Sequence, residues 1–99
     1  MKLKDLILAV QDHKLSKEQL EEYRDNISNL FAQMQFELAD VKKSKALFFI
    51  EFPQKTDKAT ERQWQVTEKG LREIELNHYA KATEEILRSL KSRLYTLYQ

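Results

Sequence analysis

Leu20-Glu21-Glu22-Tyr23-Arg24-Asp25-Asn26-Ile27-Ser28-Asn29-Leu30-Phe31-Ala32-Gln33-Met34-Gln35-Phe36-Glu37-Leu38-Ala39-Asp40-Val41 is the stretch that decides the fold. Its apolar positions Leu20, Tyr23, Ile27, Leu30, Met34, Leu38 and Val41 step by three and four, which stacks them on one face of an α-helix. Beyond the only proline, Pro53, a second set runs Trp64, Thr67, Leu71, Ile74, His78, Ala82, Ile86, Leu90, Leu94 and Leu97. Two amphipathic helices joined at a proline bury both stripes by folding back on each other. The expected fold is all-α, a long antiparallel helical hairpin of coiled-coil character with a short N-terminal helix. One domain spans 1–99, with a short helix in 1–14, a long helix over 16–52, a turn at 53–56 and a second long helix over 57–98.

Helices of these lengths would span roughly 54 Å and 63 Å at about 1.5 Å per residue. A lone pair of that kind leaves much of each apolar face wet. Completion as a helical bundle by self-association is therefore expected, with a dimer as the preferred homo-oligomer.

Local signals place the boundaries. Leu3, Leu6, Ile7 and Val10 give a helix of about two turns, too short to persist alone. It docks either on the flank of the long pair or on a neighbouring subunit. Ser16 and Gln19 match a capping box, with Leu15 and Leu20 placed as a hydrophobic staple around it. Glu18, Glu21 and Glu22 suit the positive end of the helix dipole. The run Ala46-Leu47-Phe48-Phe49-Ile50-Glu51-Phe52 fits either helix or strand; helix is favoured because no second strand exists to pair with it. Pro53 then disfavours helical geometry in the residue before it. Helix resumes from a cap at Thr56, Asp57 or Thr60. Gly70 reads equally as a tolerated surface glycine or as a close approach or bend.

Composition narrows the function classes. The net charge is +1 with 33% charged residues, so no global field steers the chain to nucleic acid or to an anionic membrane. At 41% hydrophobic residues it is too apolar for a disordered tail. There is no cysteine, hence neither a disulfide framework nor thiolate chemistry. The apolar stretch Leu3 to Val10 is short and interrupted, unlike a signal peptide or a membrane span, so a cytoplasmic protein without membrane association is expected. Charge also favours the hairpin. Residues 16–40 carry a net −4 and residues 87–99 a net +3, and folding back lays them side by side.

Two candidate surfaces emerge. Phe48, Phe49, Phe52, Trp64, Tyr95 and Tyr98 are aromatics suited to anchoring a protein partner, since large aromatics dominate interface energies. Lys42, Lys43, Lys45, Lys55, Lys58 and Arg62 gather about the turn and could meet nucleic acid, lysines on phosphates and aromatics on bases. Glu51, Asp57 and Glu61 dilute that cluster, so a solvated face is its plainer reading. His13 and His78 lack any histidine or cysteine at ligand spacing, and no metal site or cofactor is expected. Glu68 to Arg72 and Glu84 to Arg88 are four-residue ion pairs on helical surfaces rather than acid/base machinery. No catalytic residue is expected.

Lys45-Ala46-Leu47-Phe48-Phe49, Thr60-Glu61-Arg62-Gln63-Trp64, Thr67-Glu68-Lys69-Gly70 and the run Glu84 to Leu94 resemble a group of small bacteriophage helical or coiled-coil proteins encoded among early replication and recombination genes. The resemblance covers about half the chain and carries over no functional residues. It implies a phage or prophage origin and a neighbourhood of DNA metabolism, where an accessory factor, adaptor or inhibitor acting on a larger replication, recombination or host complex is the expected role. A non-enzymatic protein-interaction module is thus the expected function, with direct nucleic-acid binding by the basic cluster as the alternative.

Overall fold

The computed structural model describes residues 3–12 and 14–98, the side chains of residues 97 and 98 excepted. Four helices follow one another: α1 (Leu3–Val10), α2 (Lys17–Glu51), α3 (Asp57–Gln65) and α4 (Glu68–Tyr98). No strand occurs among the described residues, so 46–51 is helix. α2 packs against α4 in a hairpin-like arrangement.

Each start has a local cause. At α2 the capping box is complete: Ser16 N–H donates to Gln19 Oε1 at 2.9 Å, and Gln19 N–H to Ser16 Oγ at 3.2 Å. Leu15 and Leu20 on either side are both buried. At α3 the cap is Thr56, whose hydroxyl accepts from Ala59 N–H at 3.1 Å. Thr60 serves the turn instead. Its buried hydroxyl donates to the Thr56 carbonyl and accepts from Gln54 N–H.

The chain divides into two compact units, 1–33 with 81–99 and 34–80. In the first, α1 is docked by Leu6 and Val10 onto Leu20 and Ile27 of α2 and Leu87 and Leu90 of α4. A helix of two turns is thereby held by tertiary burial rather than by its own propensity. Arg93 also donates to the Val10 carbonyl and, at 2.8 Å, to the Asp12 carbonyl. The first is an acceptor left open at the end of α1, and the second lies just beyond it. In the second unit, Leu38, Val41, Trp64, Leu76 and Ala80 are buried, and Arg72 of α4 grips Glu37 of α2 through two N–H bonds.

Two sequence expectations are corrected. The helix expected over 57–98 is broken at Val66 and Thr67. Thr67 makes the break: its hydroxyl donates to the Trp64 carbonyl at 2.6 Å and accepts from Gly70 N–H at 3.0 Å, capping a new helix. Gly70 is a close-approach glycine, because a Cβ there would lie 1.9 Å from the Trp64 carbonyl oxygen.

The second correction concerns the inner face of α4. Glu73, Leu76, Ala80, Thr83, Leu87 and Leu90 are buried, whereas Leu71, Ile74, His78 and Ala82 are exposed. The apolar set Ile74, His78, Ala82, Ile86 and Leu90 advances by fours, drifting about 40° around the helix at each step. Alternating threes and fours hold one face, and here that face includes Glu73, which an apolar search passes over.

Candidate partner-binding groove

The unit formed by 34–80 carries an aromatic groove of about 390 Å³, lined by Ser44, Leu47, Phe48 and Phe52 of α2 and the segment after it, and by Trp64, Thr67 and Lys69 across from them. It forms because the turn at Pro53 brings α3 back beside the last turns of α2. Phe48 then stacks between Phe52, with ring centroids 5.3 Å apart, and Trp64, at 5.5 Å. Both contacts are tilted, the geometry that aromatic quadrupoles prefer.

Behind the rings lies a polar network that pins the indole. Trp64 Nε1–H donates to Glu73 Oε1 at 3.2 Å. Lys45 Nζ donates to the same oxygen at 3.5 Å and to Glu61 Oε1 at 2.9 Å. Glu73 is only 8% exposed, and its charge is tolerated because two donors converge on it. Burial pulls the Lys45 ammonium down, but the hydrogen bond to Glu61 and the charges of Glu73 and Glu61 outweigh this and hold it above the ordinary lysine range. At the mouth, Lys69 Nζ donates to Ser44 Oγ at 3.1 Å.

The two sequence-derived sets fare differently. Of the aromatics, Trp64 is buried and forms the groove's floor, Phe48 and Phe49 are half-buried, and Phe52 is 55% exposed at the rim. Tyr95 is exposed in the other unit, and the Tyr98 side chain lies outside the described residues. Of the basic residues, Lys42, Lys43, Lys55, Lys58 and Arg62 are exposed, while Lys45 is held between two carboxylates. Arg72 pairs with Glu37 and Glu75 rather than with Glu68, and Arg88 meets Glu84 at 3.6 Å. His13 lies outside the described residues, and His78 is exposed rather than in the seam.

Sequence reasoning missed Leu47, Thr67 and Lys69 in the groove. Leu47 was legible in principle, since it falls off the stripe that ends at Val41. Thr67 was hidden by its place in the apolar stepping. No family model, no curated protein and no solved structure matches the chain. No described helix is long and apolar enough to cross a membrane.

Proposed function

We propose that this chain is a non-enzymatic protein-interaction module that works as a homodimer and engages another protein at the groove beside Phe52. The observation that carries the reading is the contrast within one aromatic stack. Trp64 is fixed and buried by Glu73, while Phe52, 55% exposed, stands unsheltered at the rim. A rigid floor beside an exposed aromatic, on a rim that Glu51, Glu68 and Lys69 also line, suits an anchoring side chain from a partner, because little ordering entropy is lost on binding. The resemblance to small phage helical proteins supports taking that partner to be a replication, recombination or host complex, with the chain as accessory factor or inhibitor.

Affinity capture from cell extract with the full chain and its Phe52→Ser variant tests this. The proposal expects a protein retained by the parent and lost by the variant, with helix content equal in both. Capture of the same proteins by both chains contradicts it. Salt-sensitive DNA binding that falls when Lys42, Lys43, Lys55, Lys58 and Arg62 are neutralised would replace it with a nucleic-acid function.

A further inference from the structure

On the side of α2 turned away from the hairpin seam, Phe36, Asp40, Lys43, Leu47 and Ile50 form a second stripe stepping by fours and threes. All five are exposed, Phe36 and Ile50 each at 75%. Residues on the inner face, such as Leu38 and Val41, already fill the core, so folding of the monomer gives this outer stripe no cover. Ala39 and Ala46, exposed and one heptad apart, flank it. Small side chains at that flank let a second helix approach closely, because interaxial distance follows the side chains at the contact.

We propose that this face is the dimer interface, occupied by the same face of a second copy running antiparallel. The charge pattern selects that arrangement. In a parallel, in-register pair Asp40 would meet Asp40 and Lys43 would meet Lys43 at the seam. With the helices antiparallel, Phe36 meets Leu47 of the second copy, Asp40 meets its Lys43, and both contacts recur by the twofold axis. Ala39 then faces Ala46 of the second copy. A twofold interface must be self-complementary, and Phe36, Asp40, Lys43 and Leu47 meet that requirement with an opposite-charge centre between two apolar layers, Ile50 lying beyond the paired layers. The seam spans only about two heptads, so association is concentration-dependent. The inference rests on the homodimer reading above and adds to it a surface and a direction.

Charge reversal tests it on the full chain by sedimentation velocity over a wide concentration range. Asp40→Lys alone and Lys43→Asp alone each place like charges in both central layers and should weaken dimerisation by about tenfold or more. Mixing the two variants restores opposite charges in both layers, as does the double variant, and either should recover the parent's association. Each variant keeps an exposed residue exposed, and helix content verifies folding. A parent that stays monomeric at every concentration overturns both the inference and the homodimer reading. A dimer indifferent to these reversals, or one the mixture fails to rescue, overturns the interface alone.

Discussion

Trp64 Nε1 and Glu73 Oε1 are joined across 3.2 Å inside the unit formed by 34–80, and the bond ties α3 to α4 across the break between them. Glu73 occupies a position on the buried face where a hairpin would ordinarily carry an apolar side chain. Its presence is explained by the indole N–H and the Lys45 ammonium that it satisfies together. Trp64→Phe removes one donor while keeping most of the aromatic volume. A hydrogen bond to a charged acceptor contributes about 1.5–3 kcal/mol, so the variant should lose stability of that order in urea unfolding. A loss under about 0.5 kcal/mol, the range of an ordinary surface change, would show that the bond is incidental.

Gly70→Ala reverses the usual sign. In an ordinary helix interior the change gains about 1 kcal/mol. Here the new methyl would meet the Trp64 carbonyl at 1.9 Å, and that oxygen belongs to backbone already engaged by Thr67. The α3 to α4 junction must open, so thermal melting should fall. A variant that melts higher would mean that the glycine is merely a surface residue.

Arg72 donates two hydrogen bonds to Glu37 that, with its charge, hold the carboxyl below the ordinary glutamate range against the opposing effect of burial. A carboxylate with a folded pKa below its unfolded one contributes stability that is whole above the unfolded value, ordinarily 4.5, and is lost as pH falls through the folded value. Lys45, held above its ordinary 10.5, has the opposite sign, its share lost as pH rises. The stability gap between the parent and Glu37→Gln should therefore be open at neutral pH and close in acid. Both partners are well exposed, so added salt should narrow the gap at neutral pH. A gap constant down to acid would contradict the pairing.

Ser16→Ala removes the acceptor for Gln19 N–H at the start of α2 and should cost about 1 kcal/mol. Hydrogen exchange offers a local check, since amides in the first turn of α2 should lose protection before those at Ile27. Unchanged protection in that turn would show that Leu15 and Leu20 hold the helix start without the cap.

The first stripe was legible because its buried positions are nearly all apolar by type: Leu20, Ile27, Leu38 and Val41 are buried as the stepping implies. The Ser16 cap was legible for a similar reason, being a local signal that needs no tertiary knowledge. The inner face of α4 was not. Glu73 and Thr83 lie buried on it, and tertiary partners rather than residue type make Glu73 an interior residue. Thr67 was misread because its apolar spacing masks its role as a cap. At the groove, Phe48 and Phe52 stood out as aromatics beside the proline, but the separation of Trp64 as floor from Phe52 as rim depends on packing that no spacing encodes.

The identity of the buried face of α4 is the point on which both the hairpin and its outward surfaces depend. Leu76→Ala and Leu71→Ala, measured side by side by urea unfolding, test it directly. Leu76 is buried and Leu71 is 58% exposed, so the first should cost about 2–5 kcal/mol and the second within about 0.5 kcal/mol of nothing. The reverse order, with Leu71 costly and Leu76 silent, would contradict the account.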